Sequence, residues 1–150
     1  MNDLVNILAI ETSCDDTAAA VVQNNKVLSN IVSSQKIHGL YGGVVPEVAS
    51  REHDKLIVPV VRKALTSSGL SINQIDAVAY TRGPGLMGSL LVGTSFAKSI
   101  SLSLNVPLLE INHMHAHILS IFIDDGNEIP TFPFLALTVS GGHTQLVIVN

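Results

Sequence analysis

The sequence predicts an α/β fold, and three observations carry that prediction. The chain opens with three successive apolar runs rich in β-forming residues, and helical patterns then alternate with short strands. Hydrophobic residues make up 47% of the 150 residues and charged residues only 13%, which excludes a disordered chain and allows a substantial core. This length fits one domain, or a small domain with part of a second.

The three opening strands are predicted at residues 5–10, 17–22 and 27–33. A polar stretch, Glu11-Thr12-Ser13-Cys14-Asp15-Asp16, separates the first two strands. They are therefore expected to form a hairpin whose hydroxyl-rich tip can hold a phosphate. A glycine-rich loop is predicted at residues 39–45, before the first helix.

Two long helices are predicted next. The first begins at Pro46, which suits the first helical position, and runs to Ser68, with Gly69 as its C-terminal stop. Pro59 lies inside this helix and is expected to kink or split it. The second helix, over residues 86–104, is rich in small residues, which indicates close packing against a neighbouring backbone.

The remaining predicted elements are strands at 75–80, 106–111, 134–139 and 145–149 and a helix over 113–123. Asn112 is the expected N-cap of that helix. Residues 129–150 carry no charged side chain, but two prolines and a polar middle exclude a membrane helix. The last strand is apolar and ends the chain abruptly, so we expect a fragment of a longer protein or a chain that pairs with a partner.

Charge and cysteine content narrow the class of protein. The net charge of −4 offers no overall attraction for nucleic acid, so a basic surface for such a partner must be local or lie elsewhere. A single cysteine, Cys14, excludes an internal disulfide and fits a reducing, cytoplasmic setting without a signal peptide. Cys14 is either a nucleophile or, more commonly for one cysteine in an apolar chain, a buried packing residue.

A histidine pair is the strongest candidate site. His113 and His117 lie four residues apart, so on a helix they share one face and can share a metal ion, while His115 points elsewhere. The alternative is a helix start with surface histidines. Met114 stands where the zinc-protease motif H-E-x-x-H has its glutamate. Candidates for the third ligand that a catalytic metal needs are Glu11, Asp15, Asp16 and His143.

Two glycine-containing turns are further candidates. Residues 83–88 match G-x-G-x-x-G, and Glu110 follows at the distance of a ribose-binding acid, which is the dinucleotide fingerprint. Three strands precede this turn and Pro84 stiffens it, so a tight strand-to-helix turn is favoured. Residues 140–144 form a polar turn that either bares N–H groups for an anion or is only a turn. His53 has no partner that the sequence can assign.

Taken in order, these motifs resemble the bacterial tRNA N6-adenosine threonylcarbamoyltransferase family, formerly labelled O-sialoglycoprotein endopeptidase or glycoprotease. The resemblance covers nearly the whole chain and corresponds to the N-terminal portion of the family. The motifs that carry it are Ile10-Glu11-Thr12-Ser13-Cys14-Asp15-Asp16-Thr17, Tyr41-Gly42-Gly43-Val44-Val45-Pro46-Glu47, Gly83-Pro84-Gly85-Leu86, the His113/His117 pair and Val139-Ser140-Gly141-Gly142-His143-Thr144.

The resemblance implies an actin-like ATPase lobe of the sugar-kinase, Hsp70 and ribonuclease H type, with a mixed sheet. It implies that residues 1–111 form this N-terminal lobe. Residues 112–150 then supply the metal-binding helix and the first hairpin of a second, similar lobe. The chain is expected to stop before the family's third metal ligand, an aspartate in the C-terminal half, and to be inactive alone.

The resemblance also implies an activity: transfer of threonylcarbamoyl from threonylcarbamoyl-adenylate to N6 of an adenosine beside the tRNA anticodon. It assigns one divalent metal ion, iron in the first place or zinc, to His113 and His117. It assigns the adenylate pocket to Thr138, Val139, Ser140, Gly141 and Gly142. The implied partners are tRNA, a paralogous actin-like subunit and a small ATPase subunit, in the cytoplasm and without a membrane. The alternatives are a metalloendopeptidase and a non-catalytic actin-like module that dimerises through the helix at 86–104.

Overall fold

A five-stranded mixed sheet dominates the computed structural model, which describes residues 4–124, 126, 128–139 and 144–150. The strands are β1 (Asn6–Glu11), β2 (Asp16–Gln23), β3 (Lys26–Ser34), β4 (Ala77–Gly83) and β5 (Leu108–Asn112), in the spatial order β3-β2-β1-β4-β5. β1, β2 and β3 form an antiparallel meander, whereas β4 and β5 run parallel to β1. The predicted α/β class and the predicted opening meander are confirmed.

Two long helices, α1 (Pro46–Ser68) and α2 (Met87–Leu104), cover one face of the sheet. Gly69 ends α1 in the left-handed conformation, as predicted. The predicted split at Pro59 is wrong, because α1 runs unbroken through it. Pro59 is exposed, and the neighbouring Ile57 and Val60 are buried against the sheet, which holds the helix together despite one missing hydrogen bond.

The hydrophobic core lies between these two helices and the sheet. Leu8, Val21 and Val78 of the central strands are fully buried, and Ala64 and Ala97 bring the helices close to them. Burying each large aliphatic side chain contributes about 1.5–3 kcal/mol. This packing fixes the strands, and therefore the positions at which each strand ends.

After β5 the chain forms α3 (His113–Leu119), a 3-10 turn (Ser120–Phe122) and the hairpin of β6 (Phe134–Val139) and β7 (Thr144–Val149). The third helix was predicted to reach residue 123, but its α-helical part ends at Leu119 and the chain tightens into the 3-10 turn. Within the described part of the chain, no helix is long and apolar enough to cross a lipid bilayer. The predicted domain boundary between residues 111 and 112 stays a prediction.

Candidate functional site

The candidate site lies where parallel strands end. β1 and β5 flank β4, and the register pairs Ile10 with Tyr80 and Gly83 with Asn112. Because parallel strands end at the same edge of a sheet, Glu11 at the end of β1 and His113 just after β5 come together. These two residues are 102 positions apart in sequence, so their contact is a consequence of the topology alone.

Asn112 fixes the start of α3. Its side-chain oxygen accepts hydrogen bonds from the backbone N–H groups of Met114 and His115, at 2.9 and 3.1 Å. The predicted N-cap is therefore confirmed. The cap sets the direction in which the first helical residue, His113, leaves the sheet edge.

The two histidines of the pair meet on one face of α3. The Nε2 atoms of His113 and His117 lie 3.1 Å apart, and the rings pack edge to face with their centroids 4.5 Å apart. His115 is exposed and borders a separate cavity beside β7. The predicted geometry is confirmed: one pair converges, and the third histidine points elsewhere.

The other nitrogen of His113 faces the turn between β1 and β2. Its Nδ1 lies 3.6 Å from Glu11 Oε1 and 3.4 Å from Ser13 Oγ. Glu11 is itself held by the N–H of Ser13, which donates to Oε1 at 2.7 Å. A carboxylate at this place favours a proton on Nδ1, which leaves Nε2 of His113 with a lone pair toward His117.

A cavity of about 550 Å³ opens beside the pair, a volume in the range of small-molecule sites. Its ionisable lining residues come from the β1–β2 region and from α3: Glu11, Cys14, Asp15, Asp16, His113 and His117. Ser13, Asn30, Thr81 and Ser120 complete the polar lining. Within the described ranges, no three His, Cys, Asp or Glu side chains are grouped so that they could hold a metal ion. The described residues therefore offer a pair of ligands with nearby carboxylates, and His143 lies outside them.

A second cavity, of about 370 Å³, lies between α3 and β6 and is lined by His117 and Thr138 among others. His117 thus borders both cavities. Val139 ends β6 and is exposed, while residues 140–142 lie outside the described part of the chain. Their predicted role in holding an adenylate stays a prediction.

Cys14 lies in the first cavity and is exposed, so its expected burial is wrong. Its neighbours Thr12 and Ser13 are buried, whereas Cys14 lines the cavity at the edge of the sheet. Partial desolvation of the thiol, together with a hydrogen bond and repulsion from Asp15, raises the pKa of Cys14 above its usual value. A thiol that stays protonated near neutral pH is a weak nucleophile, which argues against the nucleophilic alternative.

The glycine-rich turn at 83–88 packs closely against the turn between β1 and β2. A Cβ on Gly85 would lie 2.5 Å from the carbonyl oxygen of Ser13, and the N–H of Leu86 donates to that same oxygen at 2.7 Å. A Cβ on Gly93, in α2, would collide with Thr12 Oγ1. A dinucleotide would have to lie close against the backbone of this turn, but the β1–β2 turn already occupies that position. The structure therefore favours the interpretation as a tight strand-to-helix turn.

Sequence reasoning missed His53. It is fully buried on the sheet-facing side of α1, where Nδ1 lies 2.8 Å from Thr17 Oγ1 and Nε2 lies 3.0 Å from the carbonyl oxygen of Cys14. The available signal was periodicity, since Ala49, His53 and Ile57 recur every four residues on the buried face of α1.

Comparisons with known proteins agree on a family. The family model described as TsaD, tRNA N6-adenosine threonylcarbamoyltransferase, matches residues 26–150. A protein of that name from Christiangramia forsetii is 66% identical over 147 residues, which are 97% of this chain. Another from Porphyromonas gingivalis is 58% identical and matches 96% of this chain. The chain spans 43% of the length of each of these two relatives.

Solved structures resemble the fold. YeaZ from Pseudomonas aeruginosa aligns with a TM-score of 0.63 at 16% identity, covering 95% of this chain and 64% of that protein. A second solved structure, of an uncharacterized protein with similarity to peptidase YEAZ from the same organism, aligns at 0.60 with 18% identity, covering 95% and 63%. At such identities the likeness bears on the fold alone, and it confirms the expected actin-like α/β architecture.

Proposed function

Because this chain belongs to the tRNA N6-adenosine threonylcarbamoyltransferase family, we propose that it carries part of the site that transfers threonylcarbamoyl to tRNA. The proposed donor is threonylcarbamoyl-adenylate, and the proposed acceptor is N6 of an adenosine beside the anticodon. In the transfer, N6 forms a bond to the carbamoyl carbon and the bond from that carbon to the phosphate oxygen breaks. AMP leaves, and N6 gives up a proton.

The observation that carries the proposal is the convergence of His113 and His117 on the rim of the 550 Å³ cavity. The two Nε2 atoms lie 3.1 Å apart, close enough that both imidazoles could bind one divalent ion. The Glu11 carboxylate near Nδ1 of His113 is the type of partner that orients a metal-bound imidazole.

His113 and His117 are therefore the residues that would hold a divalent ion, iron in the first place or zinc. Bound there, the ion would supply a Lewis acid that polarises the carbamoyl oxygen. A third protein ligand is needed for such a site, and we assign it to a residue outside those that the structure describes.

The histidine pair gives the donor its orientation. An ion held by His113 and His117 would polarise the carbamoyl oxygen, so we place the carbamoyl group in the 550 Å³ cavity beside the pair. The phosphate and adenosine of the donor then extend past His117 toward Thr138. Asp15 and Asp16 are the carboxylates available to accept the proton that N6 loses.

The proposed partners follow from the same assignment. They are tRNA, a paralogous actin-like subunit and a small ATPase subunit, all in the cytoplasm. The net charge of −4 does not favour RNA, so we assign most of the tRNA contact to surfaces outside these 150 residues. The likeness to YeaZ shows a shared fold, and this shared fold is all that it contributes to the proposal of an actin-like partner.

The two alternatives are not favoured. An endopeptidase of the H-E-x-x-H type needs a glutamate where this chain has Met114. A dimerisation module was expected to use the small residues of α2, but Gly93 and Ala97 are buried within the chain. Gly93→Leu would therefore disrupt the fold and not only an assembly surface, so it cannot serve as a selective test of dimerisation.

The test is a transfer assay on an extended chain. The extended chain is this sequence continued with the C-terminal part of the Christiangramia forsetii relative. With tRNA, threonylcarbamoyl-adenylate and competent partner subunits, mass spectrometry should detect the threonylcarbamoyl group on one adenosine of the tRNA. Absence of product, while the unaltered relative is active under the same conditions, would reject the proposed function.

Metal content is a separate test of the pair. His113→Ala and His117→Ala in the extended chain should each lower metal affinity by about 10-fold or more, as measured by titration and elemental analysis. His115→Ala is the matched control, because it removes an exposed imidazole from the same helix without touching the pair. Equal loss of metal in all three variants would reject the assignment of the pair.

A further inference from the structure

The β1–β2 turn is fastened to α1 by one buried imidazole. His53 has no exposed surface, and it contacts both the turn (residues 12–15), at the carbonyl of Cys14, and the start of β2, at the hydroxyl of Thr17. Both contacts are within hydrogen-bond distance, at 3.0 and 2.8 Å. Asp15 and Asp16, which line the 550 Å³ cavity, are the two residues between these contacts.

The carbonyl contact places a proton on one nitrogen of the ring. A carbonyl oxygen only accepts, so Nε2 of His53 must donate to Cys14. The hydroxyl of Thr17 is the hydrogen-bond partner of Nδ1. Both ring nitrogens of His53 are thus bonded, and the fully buried ring has no surface that a substrate could touch.

Other contacts hold the same turn from the side of α2. Ser89 Oγ donates to the carbonyl of Cys14 at 3.2 Å, and Thr12 Oγ1 donates to the carbonyl of Ser89 at 2.8 Å. These bonds hold the turn on the side of Thr12 and Cys14, where α2 packs. On the side of α1, His53 holds the turn at Cys14 and the start of β2 at Thr17.

We propose that His53 is a positioning residue of the transferase site: it holds residues 14–17 so that Asp15 and Asp16 line the same cavity as the His113/His117 pair. The catalytic consequence of this inference rests on the proposed function. The way in which His53 holds residues 14–17 does not depend on it. Without the bridge, the Asp15 carbonyl still accepts from the N–H of Gln35 and Asp16 still pairs with Ser34, but residues 14–17 lose their attachment to α1. The side chains of Asp15 and Asp16 can then shift by about an ångström. Displacements of that size in a reacting site cost about 100-fold in rate.

A second buried polar bond gives a matched control. Ser29 Oγ donates to the carbonyl of Ala64 at 2.8 Å, so it also ties α1 to the meander, but near the other end of the helix. Ser29→Ala removes one buried hydrogen bond and should destabilise the fold without moving the β1–β2 turn. A purely structural role of His53 predicts that its variants behave like Ser29→Ala.

The experiment compares three substitutions of His53 with Ser29→Ala in the extended chain. His53→Gln places an amide N–H where Nε2 lies and keeps the donor to Cys14, whereas His53→Asn is too short to reach it. His53→Leu removes both polar contacts. We expect kcat/KM for transfer to fall about 10- to 100-fold in His53→Leu and His53→Asn, to be largely restored in His53→Gln, and to be unchanged in Ser29→Ala.

A second readout does not depend on activity. In ¹⁵N-labelled extended chain, the His53 ring should show the proton on Nε2. His53→Leu should shift the backbone amide resonances of Asp15 and Asp16 and the ring resonances of His113, and Ser29→Ala should leave them in place. If the unaltered extended chain is inactive, the proposed function fails and these resonances still decide the geometric claim.

Two results would overturn the inference. One is that kcat/KM falls in the three His53 variants only in proportion to their loss of thermal stability, and that Ser29→Ala follows the same proportion. The other is an unchanged set of Asp15, Asp16 and His113 resonances in His53→Leu, measured well below the temperature at which that variant unfolds.

Discussion

At the scale of single residues, the histidine pair could be predicted and its surroundings could not. The helical period predicts that His113 and His117 lie on one face of a helix. The structure confirms this, because Asn112 caps the helix where expected. The contacts of His113 with Glu11 and of His53 with Cys14 join residues far apart in sequence. They depend on which strands are neighbours, which local patterns do not encode.

The reactivity of Cys14 is the first test at this scale. Because its thiol pKa is raised, less thiolate is present at any given pH, and alkylation should be slow near pH 7 and still accelerate above pH 9. Peptide-resolved mass spectrometry after iodoacetamide treatment of the extended chain measures this rate. Cys14→Ser should keep most of the transfer activity. An alkylation rate that levels off below pH 7, or an inactive Cys14→Ser, would instead indicate a nucleophile.

The cap of α3 is a second test. Asn112→Ala removes the acceptor for two backbone N–H groups and should lower the free energy of unfolding by about 0.5–2 kcal/mol. Asn112→Asp keeps an acceptor oxygen and should remain close to the original stability. Urea unfolding of the extended chain gives both values, and an Ala variant as stable as the Asp variant would show that the cap does not stabilise α3.

At the scale of elements, the turns determine where the site forms. The bounds of the first long helix were predictable because Pro46 and Gly69 mark them, and hydrophobic periodicity located the strands. The predictions for β4 and β5, at 75–80 and 106–111, each began two residues too early. The unbroken course of α1 through Pro59 was not, because burial of the flanking residues outweighs the local penalty. The role of the glycine-rich turn could not be decided from the sequence either, because its packing against Ser13 joins residues that are far apart in the chain.

That packing can be tested with a pair of glycine substitutions. Gly85→Ala would press a methyl group against the carbonyl of Ser13 and should destabilise the fold by about 1–3 kcal/mol. Gly39→Ala is the control, since a Cβ there meets nothing within 4 Å and no unusual backbone conformation is needed. Equal thermal midpoints for the two variants would show that the β1–β2 turn is not clamped by the glycine-rich turn.

At the scale of the whole molecule, the sheet is well packed on one side and the hairpin is not. The pairing of β6 with β7 puts Leu135, Leu137, Val139, Leu146 and Ile148 on one face, and all five are exposed. Among the described residues, nothing covers this face. The family resemblance implied a mixed sheet, but the order of its strands was not predicted, because periodicity alone does not specify which strands are neighbours.

The exposed hairpin face predicts self-association of the 150-residue chain at micromolar concentrations. Charges introduced by Leu137→Lys with Ile148→Lys should reduce it, because they would have to be buried in any contact between these faces. Leu102→Lys, at a still more exposed position on α2, is the control. Sedimentation velocity measures the outcome, and an unchanged distribution in the double variant would place the association elsewhere.

The central claim is that the His113/His117 pair serves transfer to tRNA, and one kinetic comparison tests it most directly. The extended chain, its His113→Ala/His117→Ala variant and its His115→Ala variant are compared for the rate of threonylcarbamoyl transfer under single-turnover conditions. A Lewis acid contributes several kcal/mol to the stabilisation of such a transition state. We therefore expect the transfer rate to fall by about 100-fold or more in the double variant and to change little in His115→Ala. Equal rates in the two variants would contradict the claim.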